Sequence, residues 1–411
     1  MIALLGVPAL LLIAVLFSEN RKAIRVKDAA MTFGLQLAIA IFAVATPIGA
    51  AVLGELSGGV RALLGYAQTG ASFVFGPLAD GGSGLILAFQ VLPVIIFIAS
   101  LVNVLFHLKV MDFLIRTIGG ALRKATGASR LESTCAAANI FVGMAEAPLV
   151  ILPYLPKLSR AQLFVIMGLG LSSVAGSVML AYAALGMDID LLLTAAFMAA
   201  PGGLLITRIL VPETETPFDI GGAEETGEAS ASRHGSVMEA ATDGALIGLQ
   251  IMLNVIAVLI AFVAGVALLN GILGGVGGLV GAPSLSLEQL FGYAFAPVAV
   301  LIGTPLSEAV EAGQFLGQKV VLNEFLAYAN FSSVMEGFSA EGRAALTVAL
   351  CGFANLSGLA VLIAGLGSLA PERRSEISKL GLKTVLAGTL SNFLSAAIVS
   401  ALLGLGRLVG G

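Results

Sequence analysis

Apolar and polar positions along this chain fall into blocks, with long apolar runs closed by short polar breaks. Runs of this length predict membrane-spanning helices, because about 20 residues at 1.5 Å rise cross the hydrocarbon core of a bilayer. The first run, residues 2–17, lacks a basic leader and a small-residue cleavage site, so it reads as a retained span. Further spans are predicted at about 31–53, 85–106, 163–185, 191–209, 246–269, 346–366 and 384–405. Arg21, Lys22, Arg25 and Lys27 follow the first span, which places that loop in the cytoplasm and both termini outside.

Two apolar stretches do not read as plain crossings. Residues 135–152 are flanked by basic residues on both sides, Arg130 and Lys157, so a hairpin that returns to the cytoplasm fits better. Such backbone is tolerated only where it is buried in protein or lines a cavity. Residues 295–331 carry Glu308, Glu311, Lys319 and Glu324, too polar for a span, and predict a second hairpin entered from outside. Between spans 3 and 4, residues 109–130 set Lys109, Arg116, Arg123, Lys124 and Arg130 among Leu, Ile and Met, the pattern of an amphipathic interfacial helix. The expected fold is an all-α polytopic membrane protein of eight transmembrane helices plus two re-entrant hairpins.

Composition supports that class. Hydrophobic residues make up 58% of the 411 residues and charged ones 11%, against about 25% charged in soluble domains. An ordinary soluble enzyme, a disordered chain and a nucleic-acid binder are thereby excluded. Cys135 and Cys351 lie far apart in apolar context and form no metal cluster or disulfide framework. The long polar segment, 211–243, reads as a flexible acidic cytoplasmic loop. A membrane-embedded hydrolase would need an oriented nucleophile or a metal motif. His107 lies at a span end and His234 in the polar loop, and no H-E-x-x-H occurs.

The two halves resemble each other. Arg160-Ala161 leads twelve residues on to Ser172, and Arg343-Ala344 leads twelve residues on to Asn355. Each belongs to a span that follows a hairpin and is interrupted by small or polar residues, Ser172–Ser177 in one half and Gly352–Gly358 in the other. The hairpins open from opposite sides, so the repeat is inverted. Paired interrupted helices mark a midplane binding site in transporters. Two acids lie at membrane depth, Glu146 in the first hairpin and Glu324 in the second. A carboxylate there costs roughly 2.5–3.5 kcal/mol on insertion scales, so each needs a cation, a proton, a hydrogen-bonding solute, or an ion pair such as one with Lys319. Asn139 with nearby unwound carbonyls offers the hard oxygens that suit Na⁺.

These residues carry a family resemblance. The run Gly317-Gln318-Lys319-Val320-Val321-Leu322-Asn323-Glu324-Phe325-Leu326-Ala327-Tyr328 resembles the signature G-x-K-x-x-x-N-E-F-x-A-Y of the concentrative nucleoside transporters. Asn139 to Tyr154 resembles that family's first hairpin, and Cys351 to Arg374 its last third. The resemblance implies a Na⁺-coupled symporter that imports nucleosides across the cytoplasmic membrane, with H⁺ as the alternative coupling ion or a related solute as the alternative substrate. It implies a homotrimer in the lipid bilayer whose transport domain moves like an elevator against a scaffold. Residues 1–106 (spans 1–3) and 246–282 (span 6) would be mostly scaffold. Residues 107–209 and 283–411 would hold the two repeats, with the acidic loop at 210–245. Carried over residue by residue, Glu324, Phe353 and Asn355 would line the sugar end and Val178 would touch the base. Asn139, Val142, Ser173 and Val174 would supply oxygens to Na⁺.

The chain departs from the family pattern at two places. The usual hairpin tip Gly-Gln-Thr-Glu is Gly143-Met144-Ala145-Glu146 here, so the amide and hydroxyl that would read the base are gone. The usual pair of serines in span 7 is Ser357-Gly358, which removes one contact to a sugar hydroxyl. A thioether is a soft, weak acceptor, so altered or relaxed base recognition is expected.

Overall fold

The computed structural model describes residues 2–79, 86–144, 146–219, 235–279 and 285–410. Within these the secondary structure is helical. In chain order the α-helices are α1 (Ile2–Leu16), α2 (Val26–Ala45), α3 (Pro47–Phe75), α4 (Leu87–Gln90), α5 (Pro93–His107), α6 (Val110–Thr126) and α7 (Arg130–Ala138). They continue with α8 (Arg160–Ser172), α9 (Gly176–Ala184), α10 (Ile189–Leu210), α11 (Val237–Leu279), α12 (Leu287–Leu301), α13 (Ala309–Val321) and α14 (Glu324–Ser332). The last are α15 (Ala340–Leu350), α16 (Leu356–Leu369) and α17 (Arg374–Gly410). Seven helical stretches among the described residues are long and apolar enough to cross a membrane.

Six of the eight expected spans fall in these stretches; residues 2–17 form the shorter apolar helix α1, 346–366 is a broken pair of helices, and Pro47–Leu78 was not expected as a separate span. The span expected at 31–53 is divided between α2 and α3 at Thr46-Pro47, where the Thr46 side chain caps the new helix and Pro47 occupies its first position. The span at 246–269 belongs to α11, a single helix that extends from Val237 to Leu279 and takes in flanking polar and glycine-rich sequence. Residues 295–301, expected in the second hairpin, belong to α12, so that hairpin is the narrower unit α13–α14. The span at 346–366 is broken, as its small and polar residues predict, into α15 and α16, separated by Cys351–Asn355.

The repeat of the two halves is visible in the element order. Hairpin α7 with the 3₁₀ helix Ala147–Lys157 precedes the broken pair α8/α9 and then α10. Hairpin α13–α14 precedes the broken pair α15/α16 and then α17. Serines cap the spans that follow the hairpins: Ser159 receives the Gln162 N–H and Ser339 the Gly342 N–H, each at 3.1 Å. The 3₁₀ stretch follows from Pro148, Pro153 and Pro156, since each proline lacks the amide donor that a regular α-helix uses.

Burial separates the centre from the rim. The most apolar window of Arg160–Ala184 is 94% buried, whereas that of Val237–Leu279 is 11% buried. The centre is built by α8, α10, α15 and α17, with α1 and α2 packed on α10 and α17. At the rim, α11 packs chiefly on α5. Its remaining surface exposes Leu253, Ile260, Leu268 and Ile272, a face that suits lipid or another apolar protein surface. The interfacial helix α6 buries Met111, Ile115, Gly119, Leu122 and Thr126, a stripe at helical spacing. Glu19 binds Arg160, the first residue of α8, at 2.9 Å and Lys383 of α17 at 3.0 Å, tying a helix of each repeat together.

Candidate substrate and cation site

The second hairpin breaks at Leu322-Asn323. Asn323 caps α14 by accepting the Leu326 N–H at 2.7 Å, which makes Glu324 the first residue of that helix. The second broken span restarts in the same way. Asn355 caps α16 by accepting the Gly358 N–H at 2.6 Å. The two helix starts meet, because Asn355 Nδ2 donates to Glu324 Oε2 at 2.6 Å. The other carboxylate oxygen accepts from Tyr182 Oη at 2.9 Å. Glu324 is therefore held by hairpin 2, α16 and α9 at once. The positive ends of two helix dipoles and two donors compensate its burial.

Lys319 lies one turn before the break and is fully buried. Its ammonium donates to Asn392 Oδ1 at 2.6 Å and lies 5.5 Å from the centre of the Phe393 ring. Asn392 Nδ2 in turn donates to Ser172 O, the last carbonyl of α8, at 2.7 Å. The ion pair considered for Lys319 is not formed among the described residues. The lysine instead connects hairpin 2, through α17, to the break in the other repeat.

The first hairpin is looser. After α7 the chain unwinds from Asn139 to Met144, and Gly176 N–H binds Phe141 O at 3.2 Å, joining this segment to the break between α8 and α9. Asn139 Nδ2 donates to Cys135 O at 3.0 Å, while its Oδ1 is buried with no hydrogen-bond partner. Across the joint, Ser173 Oγ donates to Leu169 O at 3.0 Å and keeps its lone pairs. The Ser173 carbonyl accepts the Phe353 N–H at 3.1 Å. No cluster of three His, Cys, Asp or Glu side chains occurs among the described residues. The oxygens at this joint are neutral, the donor set that suits Na⁺ rather than a transition metal.

A cavity of about 660 Å³ opens between the hairpin 1 tip and the ends of α5 and α11 nearest the basic interfacial helix. Val142, Gly143, Met144, Glu146, Val178 and Phe353, all expected from sequence, line it. Glu324 and Asn355 lie outside its lining. Glu146 faces its own loop as well as the cavity, since its Oε2 accepts the Gly143 N–H at 2.7 Å. Ser357 is half-buried and outside the lining. Ala145 and His234 lie outside the described residues.

Gly358 differs from the family's serine for a reason in the backbone. A side-chain carbon there would lie 2.3 Å from Phe353 O, so the loop has closed over the space a serine would fill. Sequence reasoning missed Tyr182, Asn392 and Asn103. Tyr182 carried a readable signal, a phenol in an apolar helix that needs a partner. The amides of Asn392 and Asn103 showed their role only once the helices were packed.

Two repeated hairpins and broken helices that meet at a buried carboxylate, with a cavity at the first hairpin tip, define a membrane solute transporter. Residues 191–400 match the Na⁺ dependent nucleoside transporter C-terminus, 5–78 its N-terminus and 88–188 the nucleoside recognition domain. The chain belongs to the Na⁺-dependent nucleoside transporter family. It is 42% identical to the nucleoside permease NupC of Helicobacter pylori, with 98% of each chain covered. It is 49% identical to the Bacillus subtilis transporter YutK over 96% of this chain and 97% of that one. Against human solute carrier family 28 member 3 it is 33% identical over 94% of this chain and 58% of the human one. The structure of CNTnw in an inward-facing substrate-bound state superposes with a TM-score of 0.93 at 44% identity, covering 98% of both chains.

Proposed function

We propose that the protein imports nucleosides across the cytoplasmic membrane by symport with Na⁺, with altered base recognition. The observation that carries this reading is the buried Glu324, bonded to Tyr182 and Asn355 where two broken helices meet. A ribose offers vicinal hydroxyls that donate to a carboxylate in charge-assisted bonds, with Asn355 and Phe353 beside it. The base lies in the cavity against Val178 and the hairpin tip of Gly143, Met144 and Glu146. Ala145, Ser357 and Gly358 complete the sites carried over from the family. Na⁺ is held by Asn139, Ser173 and the backbone of Val142 and Val174, and the unpartnered Asn139 Oδ1 supports that choice over a proton. The α5–α11 pair acts as scaffold, and the hairpins with α8–α10 and α15–α17 move against it. The bare face of α11 suits the centre of a homotrimer, and both termini face outside. Purified protein in proteoliposomes is expected to take up ²²Na⁺ only with nucleoside present, in a fixed ratio. Nucleoside uptake unchanged when choline replaces Na⁺ would rule out the sodium coupling but leave the nucleoside reading standing.

A further inference from the structure

The wall facing the hairpin 1 tip comes from α5 and α11, and these helices fit together unusually closely. A side chain at Gly244 would meet Ala99 O at 2.6 Å and Asn103 Cβ at 2.8 Å, and one at Gly248 would meet Ile96 Cα at 2.6 Å. Glycines four residues apart permit such an approach between membrane helices. Ser100 Oγ adds a bond to Ala241 O at 2.8 Å. The pair is a rigid surface, and Asn103 lies on its cavity side.

Asn103 Nδ2 donates back to Ala99 O at 3.0 Å. That bond engages one N–H of the amide with the helix itself, and the oxygen receives no hydrogen bond among the described residues. Asn103 carries the only side-chain amide in the described lining, and no Lys, Arg or His lines the cavity there. Opposite stands Met144, a weak acceptor with no donor. Its Cβ would lie 2.9 Å from a side-chain carbon at Gly170, so the tip is seated on α8. Glu146 and Asp243 are also acceptors. Apart from the Ser177 hydroxyl and the second Asn103 N–H, the polar side chains of this lining are acceptors, so it favours a ligand edge that donates, an N–H.

We infer that Asn103 is a specificity-determining residue that reads an N–H of the nucleoside base, and that base reading has passed from the hairpin tip to helix α5. This rests on the nucleoside reading proposed above. A base amino group donates to Asn103 Oδ1, which is already oriented by its own helix. A base without that group leaves the oxygen unpaired in an apolar wall, which disfavours it.

The test uses full-length protein in proteoliposomes and two substrate pairs: adenosine with purine riboside, and cytidine with 2-pyrimidinone riboside. Each pair differs by one amino group. The wild type is expected to favour the amino member by about 3- to 10-fold in kcat/KM, as one neutral hydrogen bond implies. Asn103→Leu brings that ratio to about one, while Asn103→Asp, which keeps an acceptor at the same place, retains it. If the leucine variant does not reach the membrane, Asn103→Ala answers the same question. A wild-type ratio near one overturns the inference, as does a ratio that survives in Asn103→Leu or Asn103→Ala. So does an equal loss for both members of a pair, which a merely structural asparagine would produce. If the wild type transports none of the four, the nucleoside reading itself falls, and this inference with it.

Discussion

The two hairpins occupy equivalent places in an inverted repeat, yet they are built differently. Hairpin 2 is two α-helices with a break of two residues, and the residue after the break, Glu324, has both oxygens bonded by other elements. Hairpin 1 is one short helix, an unwound stretch and a proline-bearing 3₁₀ helix, with its acid bonded to its own loop. The difference lies in how far each tip is determined by its surroundings. A carboxylate held by three elements presents one fixed geometry, suited to a constant part of a substrate. A tip of Met and small residues presents an adaptable surface, suited to the part that varies.

The comparison breaks most sharply at Glu324. Glu324→Ala strands the Asn355 amide and the Tyr182 hydroxyl and removes the charged acceptor, so nucleoside uptake is expected to fall about 100-fold or more. Normal uptake by this variant would show that hairpin 2 does not hold the substrate. Next in size is Asn139→Ala, expected to raise the Na⁺ concentration for half-maximal uptake about tenfold, as loss of one contact to a charge implies. Its nucleoside KM at saturating Na⁺ should stay nearly unchanged, and a KM effect alone would place Asn139 with the substrate instead.

Smaller effects sharpen the contrast. Gly358→Ser meets Phe353 O, so thermal denaturation should show a loss of about 1–3 kcal/mol from overpacking and no gain in ribose affinity. A stable variant with tighter ribose binding would mean that the loop opens readily. Tyr182→Phe removes one neutral donor from Glu324 and should lower kcat/KM by about 5- to 10-fold, read as initial uptake rates. Met144→Gln should change least. It should alter the order of preference among bases with little effect on total uptake, whereas a large loss for every nucleoside would show that the tip is as constrained as hairpin 2.

Most of the membrane architecture was legible in the chain. Runs such as 163–185 and 191–209 stand out because the bilayer demands an apolar surface regardless of neighbours. The breaks at Ser172–Ser177 and Gly352–Gly358 were legible because polar residues at that depth need a reason. Element ends were less so: α11 continues beyond its most apolar core, and α12 takes residues 295–301 that hydropathy joined to the second hairpin. Within the site, Glu324, Asn355 and Asn139 were marked by the cost of burying a charge or an amide. The partner of Lys319 was not, because its amide acceptor lies 73 residues away on α17, a distance along which no local pattern extends.

By itself the sequence determined that this is a polytopic helical membrane protein with two hairpins, two interrupted spans and acids at membrane depth. Each of those properties is a local matter of solvation, decided residue by residue against lipid. Tertiary structure alone decided which atoms meet. It joined Glu324 to Tyr182 and Asn355, ran Lys319 through Asn392 to the end of α8, closed the backbone over Gly358, and set Asn103 opposite the hairpin tip. Those pairings depend on how separate helices cross and how closely their backbones approach, and the glycines that permit the approach have no side chain to announce it.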